Sequence, residues 1–219
     1  MPTEVNLSPK KTLGYHVVRS VVWSLWSAMF RPIIEGEENI PATGPIVIAP
    51  VHRSNVDFAV AIFVTPRKTF FMAKDSLWKV PVLRWLISTM GAFPVKRGTA
   101  DRDSLEKARS ILRDGQPLVL FPEGTRQSGP EVAELHMGAA FVALHTGAQI
   151  VPVGIAGTED VMPKGAKIPR PHRISIVVGA PISVTQAEGR VPRSDIQATT
   201  EQLRVALQSA QDRANELLA

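Results

Sequence analysis

Apolar and polar positions fall into blocks along this chain, and the period of each block predicts an element. Residues 13–30 are apolar nearly all round, with His16, Arg19, Ser20, Ser24 and Ser27, and Arg31 just beyond, forming a narrow polar stripe; this predicts a helix. Two short strands are predicted within residues 33–49, on either side of the turn-rich Pro41-Ala42-Thr43-Gly44-Pro45. Residues 69–73 predict a strand, 76–90 a helix that Pro81 should kink or interrupt, and 92–95 a short strand. Residues 100–114 put Leu105, Ala108, Ile111 and Leu112 on one helical face and stop at Gly115. A buried-type strand over 117–121, a helix over 131–146 and strands over 149–155 and 173–178 follow. An amphipathic helix over 194–218, with Ile196, Leu203, Leu207, Ala210 and Leu217 near one face, closes the chain. Strands alternate with helices from Ile46 to Val178, which predicts an α/β fold: a single layered domain with a mixed central sheet flanked by helices.

Composition narrows the chemistry. At 219 residues and 44% hydrophobic, the chain suits one substantial globular domain and neither disorder nor a polytopic membrane protein. Without cysteine there is no disulfide, no cysteine-ligated zinc and no acyl-cysteine intermediate. The net charge of +5 predicts attraction to something anionic: nucleic acid, an acidic lipid surface or a phosphorylated substrate.

Two regions bear on that choice. In the N-terminal helix the 11 residues between Arg19 and Arg31 span about 17 Å, too little for about 30 Å of hydrocarbon. The helix is expected to lie in the membrane interface, because its apolar arc is wider than one packing face needs; packing on the domain is the alternative. Residues 1–32 therefore read as a tail and interfacial helix, and 33–219 as the catalytic domain. Further on, Arg67, Lys68, Lys74, Lys79 and Arg84 interleave with Phe70, Phe71, Trp78 and Trp85. That mixture suits an anionic bilayer or single-stranded nucleic acid, and equally well rings in a core with charges in solvent.

The candidate chemistry sits where strands end. Val51-His52-Arg53-Ser54-Asn55-Val56-Asp57 follows the apolar run 45–50 and leads into the apolar run 58–64. An aspartate can hold one imidazole nitrogen as a donor and leave the other free to accept a proton. On one continuous helix, residues five apart lie about 140° apart. The pair therefore meets only if His52 is in the entering loop and Asp57 in the first helical turn, with Ser54 or Asn55 as N-cap. Ser54-Asn55-Val56-Asp57 also fits a capping box, which would leave His52 a bystander. Lys96-Arg97-Gly98 and Pro122-Glu123-Gly124-Thr125-Arg126 likewise follow predicted strands. Loops at the carboxyl ends of strands are where α/β sheets gather sites. Arginines beside a histidine base suit a phosphate-bearing alcohol; each charge also has a plain reading as a surface ion-pair partner.

Taken together, His52-x4-Asp57 and Phe121-Pro122-Glu123-Gly124-Thr125-Arg126 resemble the glycerolipid acyltransferases, specifically the 1-acylglycerol-3-phosphate acyltransferases. Phe93-Pro94-Val95-Lys96-Arg97, Ile150-Val151-Pro152-Val153 and Gly179-Ala180-Pro181-Ile182 are similar to weaker blocks of that family. The resemblance implies acyl transfer from acyl-CoA or acyl carrier protein to a lysophospholipid hydroxyl, giving phosphatidic acid, at the cytoplasmic face of the cell membrane. Glycerol-3-phosphate or another lysolipid is the alternative acceptor, and non-catalytic lipid binding the alternative function. His52 would be the base and Asp57 its orienter. Lys96, Arg97 and Arg126 would hold the phosphate, and Glu123, Gly124 and Thr125 would shape the acceptor pocket. No cofactor, metal or nucleic acid is implied. The chain departs from the family pattern at Val51, in place of a polar residue, and at His136, where lysines usually precede Gly-Ala. His136 and His145 are expected to be structural.

Overall fold

The computed structural model of the chain describes residues 9–95, 102–163, 165–166 and 168–219. Its elements run α1 (Pro9–Phe30), β1 (Ile33–Glu35), β2 (Ile46–Pro50), α2 (Asp57–Phe63), β3 (Phe70–Lys74), α3 (Pro81–Thr89), β4 (Ala92–Val95), α4 (Arg102–Arg113), β5 (Pro117–Val119), α5 (Gly138–Thr146), β6 (Gln149–Ala156), α6 (Thr158–Val161), β7 (Ser175–Val178) and α7 (Arg193–Glu216). The strands form one sheet in the order β1-β7-β6-β2-β5-β3-β4. Neighbours from β6 to β4 pair in parallel, β7 is antiparallel to β6, and β1 is parallel to β7. The sheet is mixed, as the pattern predicts.

Handedness assigns the helices to faces. Crossovers between parallel strands are right-handed. From β2 through α2 to β3, and from β3 through α3 to β4, the chain steps one way across the sheet. From β4 through α4 to β5, and from β5 through α5 to β6, it steps back. Hence α2 and α3 cover one face, and α4 and α5 the other. The contacts agree: α1 meets α3, whereas α4 meets α5 and α5 meets α7. With helices on both faces, β2 is buried at all five positions and β6 at all but its first, Gln149. This is why both read as near-continuous apolar runs and not as alternation.

Two local expectations are corrected, and a third region is resolved into parts. Residues 131–137 are not helical, so α5 starts only at Gly138. Their backbone groups are committed elsewhere: the Glu131 carbonyl accepts from Arg53, the Ala133 N–H donates to Glu123, and the His136 N–H donates to the Pro122 carbonyl. The predicted helix over 76–90 divides at Pro81, with a 3₁₀ turn over Asp75–Lys79 and Pro81 opening α3, a position where its missing N–H costs nothing. The mixed basic and aromatic cluster also separates. Phe70 and Phe71 are core, Arg67 ties together the Pro41, Gly44 and Gly115 carbonyls, and Trp85 is exposed.

α1 does two things at once. Tyr15 and Phe30 are buried, and Trp23 and Trp26 lie with ring centroids 4.9 and 6.2 Å from that of Phe63 on α2. Arg19 donates to the Phe63 and Thr65 carbonyls at the C-terminal end of α2, where the helix dipole favours a cation. Its other side leaves Val17, Val21, Leu25 and Met29 exposed at i, i+4 spacing. Among the described residues no helix is long and apolar enough to cross a membrane.

The backbone of α7 packs directly against that of β6. A Cβ on Gly154 would stand 2.2 Å from the Ala210 carbonyl oxygen, and the Gln211 side chain accepts the Ile155 N–H at 2.9 Å. Gly154→Ala should therefore destabilise the domain by about 1–3 kcal/mol through overpacking. Gly138→Ala, which meets no neighbour within 4 Å, should leave the urea midpoint unchanged or raise it; equal midpoints for the two variants would contradict this packing.

Candidate active site

The site forms where the topology reverses. β2 and β5 are parallel neighbours with Ile46 opposite Pro117 and Ile48 opposite Val119, so their C-terminal ends emerge side by side. The chain leaves β2 toward α2 on one face and β5 toward α5 on the other. Such a divergence is where α/β sheets form the crevice in which they bind ligands. Residues 51–57 and 120–127 are its two lips.

Asp57 is the first residue of α2 and is fully buried. Its Oδ2 accepts from His52 Nδ1 at 3.0 Å, from the Arg53 N–H at 2.5 Å and from the Ser54 N–H at 2.6 Å. The orienting and capping readings thus coexist. One oxygen receives the Ser54 amide, as a capping residue would, and also the imidazole. Neither Ser54 nor Asn55 is the N-cap; that position falls to Val56, which makes no side-chain cap. The Ser54 hydroxyl donates instead to the Met162 carbonyl. With Nδ1 facing a carboxylate, the proton belongs on Nδ1, and Nε2 is left as the basic nitrogen. The His52 side chain is 15% exposed, and its ring lies against Phe121 with centroids 4.3 Å apart.

A second carboxylate fixes the main chain of the same loop. Both oxygens of Glu123 accept from Arg53 Nη1 at 2.9 Å; Oε2 also takes the His52 N–H at 2.7 Å, and Oε1 the Ala133 N–H at 3.1 Å. Arg53 Nη2 donates to the Glu131 carbonyl, and the Gln127 N–H donates to the His52 carbonyl at 2.8 Å. His52 is therefore held by its N–H, its carbonyl and its ring, each to a different partner.

Glu123, expected to shape the acceptor pocket, has no exposed side-chain surface, and both its oxygens accept from protein donors, the His52 N–H among them. Gly124, Thr125 and Arg126 are exposed on the lip. Gly124 has φ +68, and a Cβ there would collide with the imidazole of His136. His136 is thus brought onto the lip, where the spacing along the chain gave no sign of it. His145 accords with the structural expectation, its Nδ1 facing the Phe141 carbonyl at 2.8 Å. Lys96 and Arg97 lie outside the described residues; β4, which precedes them, ends at the same edge of the sheet.

Arg53 is the residue the sequence reading passed over. Its only sign is a charge between His52 and Ser54, and no spacing rule joins it to a carboxylate in a different loop. Glu159, next to the site on α6, was also missed. It is an exposed residue with a partly desolvated carboxyl, which is pushed above its usual range, opposed by Arg53 and reinforced by Asp160 and Asp57.

Fold and site together define a mixed α/β domain that carries a carboxylate-oriented histidine at its topological switch point. Residues 31–156, more than half of the chain, match the family model described as Acyltransferase, and the chain belongs to that family. It is 30% identical over 193 residues to the chloroplastic 1-acyl-sn-glycerol-3-phosphate acyltransferase LPAT1 of Arabidopsis thaliana, covering 85% of this chain and 54% of that one. It is 25% identical over 185 residues to the 1-acyl-sn-glycerol-3-phosphate acyltransferase of Bacillus subtilis, covering 84% and 90%. The chain spans about half the length of the plant and algal relatives it matches. The crystal structure of the 1-acyl-sn-glycerophosphate acyltransferase PlsC from Thermotoga maritima has the same fold, with TM-score 0.70 and 23% identity over 95% of this chain and 83% of that one.

The buried Arg53–Glu123 pair supplies a stability test. Arg53→Met or Glu123→Gln alone leaves a buried charge without its partner, and each should cost about 3–5 kcal/mol in urea unfolding. The double variant should cost clearly less than the two single losses added together. Strict additivity would mean that the two side chains are not coupled.

Proposed function

We propose that this chain is an acyltransferase that moves a fatty acyl group from a thioester, acyl-CoA or acyl carrier protein, to the free hydroxyl of a monoacylglycerol phosphate, giving phosphatidic acid. The observation that carries this reading is the 3.0 Å contact between His52 Nδ1 and the buried Asp57 carboxylate, which turns Nε2 into the base. Nε2 removes the acceptor proton as the hydroxyl oxygen attacks the thioester carbonyl carbon. The new C–O bond forms, the C–S bond breaks, and the departing thiolate takes the proton back from Nε2 as free thiol. Because the chain has no cysteine, direct attack is favoured over transfer through a cysteine acyl-enzyme. Arg126, with Lys96 and Arg97, supplies the cations for the acceptor phosphate, and the Arg53–Glu123 pair keeps the His52 main chain in place.

The apolar surface supports a membrane-bound acceptor. Val17, Val21, Leu25 and Met29 on α1, together with Val82 and Trp85 on α3, are exposed on helices that contact each other. We place this face in the bilayer interface, with the crevice opening toward the lipid headgroups.

Thiol release, followed across donors and acceptors, tests the chemistry. His52→Ala and Asp57→Asn should each lower kcat by about 10²- to 10⁴-fold with the fold intact. His52→Ala releasing thiol at the wild-type rate would end the proposal. A preference for glycerol-3-phosphate over the monoacyl acceptor would retain the reaction and change the substrate. Leu25→Asp should weaken binding to phosphatidylcholine vesicles by about tenfold or more while sparing turnover of a detergent-dispersed acceptor. Vesicle binding unchanged by Leu25→Asp would refute the membrane face.

A further inference from the structure

Beyond the His52 crevice, a second cleft of about 680 Å³ opens at the end of α1, lined by Ala28, Met29, Phe30, Arg31, His172 and Arg173 among others. It is built by backbone pairing. The Ile174 N–H donates to the Phe30 carbonyl, and the Ile33 N–H donates to the Ile174 carbonyl. These two bonds bring Arg31 beside Arg173, residues far apart in sequence. Ser175, which follows, pairs with Ala156 at the end of β6. The cleft therefore lies on the same edge of the sheet as the His52 crevice.

Three features mark it as a binding site for an anion. Arg31, His172 and Arg173 are all exposed, and among the described residues neither arginine forms an ion pair. His172 Nδ1 faces the Arg173 carbonyl at 2.8 Å, and its Nε2 lies 3.9 Å from Asp160, so the imidazole is held at the rim. Arg31 has φ +42, the left-handed conformation in which glycine is usual at a helix end. A long cationic side chain stands where the backbone favours having none, which directs attention to the side chain.

The fourth feature selects the ligand. Met29 lines the cleft and is also the last member of the exposed stripe Val17, Val21, Leu25 and Met29. Apolar side chains thus run along α1 and end at two guanidinium groups that form no ion pair among the described residues, the sequence of surfaces that a lipid presents from acyl region to phosphate. We infer that Arg31 and Arg173 bind the phosphate of an anionic bilayer lipid, a site separate from the acceptor's, which docks the His52 edge of the sheet against acidic membrane. This rests on the membrane face proposed above.

The test uses the full-length chain and vesicles of phosphatidylcholine with and without phosphatidylglycerol. A cation held at an acidic surface is worth about fivefold in affinity, so Arg31→Gln/Arg173→Gln should lose about thirtyfold of the preference for the acidic vesicles. Arg190→Gln/Arg193→Gln, which removes the same charge near the start of α7, should lose little of it. Arg31→Gly should melt no lower than the wild type, because glycine accepts the positive φ, and should still lose part of the preference. Equal losses from the two double variants would overturn the site in favour of net charge alone. Intact preference in the Arg31/Arg173 variant, with a raised KM for acyl-CoA in detergent, would overturn it in favour of the donor's phosphates. Leu25→Asp binding phosphatidylcholine as tightly as the wild type would remove the membrane face itself, a result distinct from either.

Discussion

Two buried carboxylates hold three successive backbone amides, and the geometry of the site follows from that. Glu123 receives the N–H of His52, and Asp57 receives those of Arg53 and Ser54. A carboxylate taken out of water needs donors: both oxygens of Glu123 have them, and at Asp57 two backbone amides and an imidazole converge on Oδ2 while Oδ1 is buried without a partner. The net stability gained from such a pair is modest, because desolvation offsets much of the attraction. Its effect is on register: a shift of either loop by one residue would leave a buried charge without its donors, at a cost comparable to a large part of a domain's total stability. The histidine is thereby held in one orientation before any ligand arrives.

The sheet makes this locking possible. Because β2 and β5 are parallel neighbours whose helices depart to opposite faces, their exit loops are pushed together and yet left open above. One loop carries the base and its orienting carboxylate, and the other the carboxylate that steadies the backbone. Residues 131–137 complete the enclosure by staying out of the helix, which leaves the Glu131 carbonyl free for Arg53 and brings the Ala133 N–H to Glu123. A regular helix over the same residues would have taken the Glu131 carbonyl into its own ladder. The loss of helix there and the gain of a fixed histidine are one event.

The same edge of the sheet gathers the outer surfaces. α1 ends there, packed inward through Trp23, Trp26 and Phe30 and apolar outward through Val21, Leu25 and Met29. One side of this helix packs on the domain, and the opposite side leaves apolar side chains exposed. A helix apolar nearly all round has enough surface for both, since one packed stripe uses only part of its circumference.

The sequence by itself determined the α/β class, most element positions and the His52–Asp57 pair, because period, turn residues and short-range spacing are properties of adjacent positions. It also marked Glu123 and Arg126 as site candidates. Only the tertiary structure decided how they are placed, Glu123 buried and Arg126 exposed. Glu123 turns inward to Arg53, His136 comes to lie over Gly124, and Arg31 and Arg173 line one cleft, because strand order and backbone pairing bring together residues that nothing in their spacing connects. Partnership between distant charges is set by where the chain crosses the sheet, and that is information no local pattern carries.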